Sequence, residues 1–214
     1  MQKFLLLLVF LAGMNKKTKK ILKKVWWFIW EDNSVWSWLF NIILAFVLIK
    51  FIVYPSLGFI LGTNYPIVAV VSSSMEHNMA FDKWWDENKE WYIERGIAEE
   101  KFSGFSLKNG FNKGDIIILT GKKAESLDVG DVIVFKSNKP DPIIHRIVKK
   151  WKEDDKYYFK TKGDNNKDSI KSSLVDETRL SEDMIVGNAL FKVPLLGYIK
   201  IIFVEILKFI GLVK

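Results

Sequence analysis

Three residue types that together could carry out acyl transfer lie far apart in this chain: the serine run Ser72-Ser73-Ser74, a histidine in an apolar run at His145, and two aspartates four residues apart, Asp164 and Asp168. Serine is a weak nucleophile at neutral pH, so Ser74 needs a base within hydrogen-bond reach, and the base needs a group that fixes its tautomer. His145, in the run IIHRI, is the candidate base. A lone histidine in such a strand is more often structural, so its candidacy depends on the company it keeps. A carboxylate from the loop Lys162–Ser169 (KGDNNKDS) accepting its other N–H would complete a Ser-His-Asp set. The same loop is too poor in ligands for a calcium site, and no metal or other cofactor is expected. The chain has no cysteine, which excludes thiolate catalysis, thiolate metal sites and disulfides. The second histidine, His77, is read as structural or surface, and Arg146 as a surface or membrane-facing cation on the strand face opposite His145.

A frame must bring these residues together. Short apolar or alternating runs, DIIILT (Asp115–Thr120), DVIVF (Asp131–Phe135), IIHRIV (Ile143–Val148) and YYFKTK (Tyr157–Lys162), are punctuated by turn residues, including Lys113-Gly114, Val129-Gly130 and Pro140-Asp141-Pro142. Such spacing predicts a mainly β fold, a small antiparallel barrel or sandwich over residues 63–192. The charged, aromatic-rich block 81–112 interrupts it and reads as one or two short helices, with Gly96 ending the first. Its aromatics are expected to cap the sheet; a collar at the lipid headgroups or a part in substrate selection is the sharper reading.

Residues 35–62 form an apolar stretch long enough to cross a membrane, with Lys50 its one charge and with Pro55 and Gly58 expected to bend or end the helix. Residues 1–34 are basic and aromatic, and Lys16, Lys17, Lys19, Lys20, Lys23 and Lys24 mark a cytoplasmic side. The following domain is therefore expected on the extracytoplasmic side of the cell membrane. Phe4–Ala12 is too short to span, and Met14 is the expected true start. Residues 193–214 fit a second span if Lys200 or Lys208 pairs with Glu205, or an amphipathic helix lying on the membrane. The formal charge of +7 does not point to nucleic acid: residues 64–191 hold 20 Lys+Arg against 22 Asp+Glu, so the excess lies in the flanks.

SSSME (Ser72–Glu76), GDVIVF (Gly130–Phe135), IIHRI (Ile143–Ile147) and KGDNN (Lys162–Asn166) resemble, in the same order, the motifs of type I signal peptidases. A histidine where bacterial relatives carry a catalytic lysine is similar to the archaeal and endoplasmic-reticulum branch. The resemblance covers about Val68 to Tyr198 and includes VPLLGY. It implies a membrane-bound serine endopeptidase that cleaves signal peptides from exported preproteins after small residues, with membrane lipid and the protein-export machinery as its surroundings. By motif, Ser74 would be the nucleophile, His145 the base, Ser72 the side-chain donor to the oxyanion, and Asp168, favoured over Asp164, the orienting acid. The alternative is a non-catalytic, membrane-tethered β-domain that binds peptides or partner proteins, suggested by the shortened GDNN loop.

Overall fold

The structure is a computed structural model that describes residues 15–209 and 211. The expectations for Phe4–Ala12 and Met14, and the last residues of the 193–214 segment, lie outside it. The chain divides into two compact units between Pro55 and Ser56.

In the first unit, helix α1 (Lys16–Trp30) starts at Asn15, whose side chain accepts the Thr18 N–H at 2.9 Å. Helix α2 (Val35–Leu61), whose residues from Ser56 on belong to the second unit, starts at Ser34, whose hydroxyl accepts the Ser37 N–H at 3.2 Å. Asn41 donates to the Ile29 carbonyl and ties the two helices together. The 27 residues of α2 extend about 40 Å, more than a ~30 Å hydrocarbon core requires. Pro55 does not end it. A π-helical turn at Ile49–Val53 widens the backbone just before the proline, whose ring would crowd a regular turn and which has no N–H to donate. The helix stops only at Gly62, which takes a left-handed φ of 65° while Thr63 N–H bonds back to the Gly58 carbonyl at 3.0 Å.

The second unit is built on a curled, seven-stranded antiparallel sheet, a half-barrel, as the alternating runs predict. Its strands are β1 (Ile67–Ala69), β2 (Ile116–Thr120), β3 (Val132–Phe135), β4 (Ile143–Glu153), β5 (Lys156–Lys162), β6 (Leu180–Ser181) and β7 (Ile185–Val193). Their spatial order is β1-β2-β7-β3-β4-β5-β6. The late strand β7 inserts between β2 and β3 and joins the two halves of the sheet. β3 is buried on both faces. Its Val132 and Val134 join one apolar cluster with Val70, Met75, Phe111 and Ile144, while Ile133 and Phe135 join another with Ile147, Phe159, Val175 and Leu180. Each such buried side chain contributes roughly 1.5–3 kcal/mol relative to exposure.

Between β1 and β2 the chain forms helices α3 (Phe81–Ile93) and α4 (Glu99–Ser103), with Gly96 at φ 73° turning the chain after the first. Trp84, Trp85 and Tyr92 share one face of α3 and pack with Ile97, Phe102 and Val148 as a third core over the sheet. The C-terminal helix α5 (Gly197–Phe209) has 13 residues. Over the described residues these extend about 20 Å.

Candidate active site

Two buried anchors set the position of Ser74. The chain leaves β1 through Val70, whose N–H bonds to the Asp115 carbonyl at 2.9 Å, and after one turn Met75 enters the first apolar cluster. The turn is closed by Glu76 N–H on the Ser73 carbonyl at 3.1 Å, and the KGDNN loop fastens it from above: Asn165 N–H donates to the Ser74 carbonyl at 2.8 Å, and the Asn165 amide to the Ser73 carbonyl at 3.1 Å. The main chain that carries the Ser74 hydroxyl is thus pinned at the Ser73 and Ser74 carbonyls.

His145 lies on β4 opposite Ile133 of β3, with its side chain only 3% exposed. Its Nε2 is 2.9 Å from Ser74 Oγ. Its Nδ1 is hydrogen-bonded to Oε1 of Glu177. Gly163 leaves room for this pair, since a Cβ there would lie 2.7 Å from the Ser74 carbonyl and 2.8 Å from His145 Nε2. Ser72 Oγ lies 3.3 Å from Ser74 Oγ. Among the described residues the Ser74 N–H has no hydrogen-bond acceptor, so it is free to donate elsewhere.

Asp164 and Asp168 do not reach the imidazole. Asp164 is fully buried on the other face of the sheet, where Arg146 grips it with Nε at 2.9 Å and Nη2 at 2.6 Å. It also accepts from His77 Nε2 at 3.1 Å, and the His77 ring stacks on Trp84 with centroids 3.7 Å apart. Burial alone would raise the Asp164 carboxyl, but the Arg146 charge and the hydrogen bonds from His77 and Arg146 outweigh it and hold the group well below the usual carboxylate range. Asp168 sits at the surface, accepting from Trp91 Nε1 at 3.1 Å and Ser169 N–H at 2.7 Å, and those bonds also hold it below its ordinary value. Arg146 is not a surface cation. It is completely buried, and its remaining N–H groups donate to the carbonyls of Ser106, Leu107 and Gly130. Beside it, burial pushes Lys162 down to about 8 and raises the Tyr92 hydroxyl.

Glu177 has no precedent among the motif residues. In VDETRL it looks like one more solvated charge, and the sole sequence signal is alternation: Val175 and Glu177 are buried while Asp176 between them is exposed. Among the described residues, no group of three or more His, Cys, Asp or Glu could hold a metal ion.

The arrangement sets an imidazole nitrogen against a serine hydroxyl, with the Ser72 hydroxyl and the Ser74 N–H beside it. Comparison with known proteins finds similar chains among signal peptidase subunits. The chain is 33% identical over 103 residues to the signal peptidase complex catalytic subunit SEC11 of the fungus Pyricularia oryzae, a match covering 47% of this chain and 60% of that protein. It is 29% identical over 158 residues to the SEC11 subunit of Scheffersomyces stipitis, covering 72% and 75% of the two chains, and 32% identical over 107 residues to dog SEC11C, covering 49% and 56%. The chain thus spans about 60% of the first of these relatives, and no family model matches it. Through these matches the chain is similar, at modest identity, to catalytic subunits of signal peptidase complexes.

Proposed function

We propose that the chain is a membrane-bound serine endopeptidase that removes signal peptides from exported preproteins, cutting after small residues through an ester on Ser74. The observation that carries this reading is the 2.9 Å approach of His145 Nε2 to Ser74 Oγ at the mouth of an apolar cleft. The imidazole takes the hydroxyl proton as Oγ attacks the scissile carbonyl, then returns it to the leaving amine. The Ser74 N–H and Ser72 hydroxyl receive the oxyanion. Water then hydrolyses the ester by the same relay. The signal segment remains in lipid, and α2 keeps the enzyme at the same boundary, with the sheet on the extracytoplasmic side near the export machinery.

The cleft supports the specificity. It encloses about 320 Å³ and is lined by Val68, Val70, Ile143, Ile144 and Ile170 beside the serine, with polar groups from Ser72 and Asn166. β1 is an edge strand paired only with β2, so an extended peptide can add to its free edge through main-chain hydrogen bonds. Pockets of this size between aliphatic side chains suit small residues at alternate positions.

The test is incubation of the purified full chain, in micelles or vesicles, with a preprotein carrying an A-x-A-like cleavage site. N-terminal sequencing of the product should place the cut directly after that site, and Ser74→Ala should leave the preprotein intact. Failure of the wild type to cut an accessible preprotein would overturn the reading in favour of the non-catalytic peptide-binding domain.

A further inference from the structure

We infer that Glu177, a residue outside the signal-peptidase motifs, is the positioning carboxylate of His145, and that the two aspartates of the loop Lys162–Ser169, Asp164 and Asp168, serve other ends. The inference rests on the endopeptidase reading above.

Glu177 is fully buried, and each of its oxygens has assigned partners: Oε1 meets His145 Nδ1 and the Thr161 hydroxyl at 2.8 Å, and Oε2 accepts the Ile170 N–H at 2.7 Å. The backbone is pinned as well, with Glu177 N–H on the Ile170 carbonyl at 2.8 Å and Thr161 N–H on the Glu177 carbonyl at 3.0 Å. Thr161 is the β5 partner of Ile147, two residues beyond His145 on the same face of β4, so the sheet sets how far the carboxylate stands from the ring. An ionised carboxylate can only accept. The neutral imidazole must then carry its proton on Nδ1, which leaves the Nε2 lone pair for the Ser74 hydroxyl. Among the described residues no other carboxylate reaches Nδ1, because Gly163 faces the imidazole and the next residue, Asp164, turns to the opposite side and is consumed by Arg146 and His77. Asp168 tethers the loop to Trp91 of α3.

The experiment compares wild type with Glu177→Gln, Glu177→Asp and Asp168→Asn in the preprotein assay, with Ser74→Ala as the blank. A glutamine amide can present its NH₂ to Nδ1 and hold the ring in the wrong tautomer, so Glu177→Gln should lower kcat by roughly four orders of magnitude with KM little changed. The acid limb of its kcat profile should move to lower pH, since the imidazolium loses its counter-charge. Glu177→Asp should recover part of the rate, and Asp168→Asn should stay within a few-fold of wild type. A Glu177→Gln enzyme within tenfold of wild type, or a collapse confined to Asp168→Asn, would overturn the inference while leaving the protease reading intact.

A second readout needs no turnover. Imidazole ¹⁵N spectra of the wild-type full chain in micelles, with the two histidines distinguished by His77→Asn, should show His145 protonated at Nδ1. An Nε2-protonated His145 would refute the assignment whether or not the protein cleaves. Loss of cleavage by wild type alone would sink the reading of function, not this one.

Discussion

Asp164→Asn removes one negative charge from the least exposed ionic cluster of the second unit while keeping the shape of the side chain. Arg146 is completely buried and donates to three carbonyls besides Asp164, so it can neither swing out to water nor find another anion. Breaking a buried pair by removing one partner typically costs about 3–5 kcal/mol, because the other charge stays behind unpaired. For a unit of this size each kcal/mol corresponds to about 2–4 °C, so the midpoint should fall by roughly 6–20 °C. Thermal unfolding of the full chain in detergent, followed by near-ultraviolet circular dichroism, reads this directly. The pH dependence has a definite sign. Asp164 is held below its ordinary value, so its contribution is complete above about pH 4 and is lost as pH falls through the folded value; Asp164→Asn should flatten that acid limb. The double variant Asp164→Asn with Arg146→Met removes both partners and should be milder than Asp164→Asn alone. A single variant that unfolds within 2 °C of wild type would show that Arg146 and Asp164 are not a buried pair.

Further outcomes follow from the same geometry. Ser72→Ala should lower kcat by about 10²–10³ with KM nearly unchanged, the usual loss for one oxyanion donor; an unchanged kcat would remove Ser72 from that role. Gly163→Ala places a Cβ between the Ser74 carbonyl and the imidazole, so kcat should fall by orders of magnitude while the melting midpoint changes by only a few degrees. Equal activity in Gly163→Ala would mean that the serine–imidazole contact is looser than described. Lys162, pushed down to about 8 by burial, deprotonates in the folded chain before it does in the unfolded one. Stability should therefore rise by about 3 kcal/mol between pH 8 and 10.5, and Lys162→Met should abolish that slope in pH-dependent denaturant titrations.

The strands were legible because their side chains obey a period of two between turn residues. The runs at Asp115 and Asp131 each contain one observed strand, the run at Ile143 the first half of β4, and the run at Tyr157 all of β5 but Lys156. β7 was not, since IVGNALFKV carries a glycine and an asparagine that dilute its pattern, and only its position between β2 and β3 makes it central. Likewise β4 runs to Glu153 because pairing with β5 holds its charged end, which composition alone would leave in a loop. Ser74 and His145 emerged from motif order, and the structure brings the two side chains together. The carboxylate against the imidazole did not emerge. Glu177 is recruited through the Ile170 and Thr161 backbone, and contacts of that kind leave no periodic trace. The loop aspartates drew attention through their motif, yet local backbone direction turns Asp164 toward Arg146, whose burial depends on the α3–α4 block covering that face.

Whether Ser74 and His145 act as one unit is measured most directly by preprotein cleavage at saturating substrate for Ser74→Ala, His145→Ala and the double variant. The account predicts that each single change lowers kcat by roughly 10⁴–10⁶ and that the double change costs no more than the worse single one, because neither group has work to do without the other. Losses that multiply in the double variant, or a Ser74→Ala enzyme that still cleaves, would contradict it.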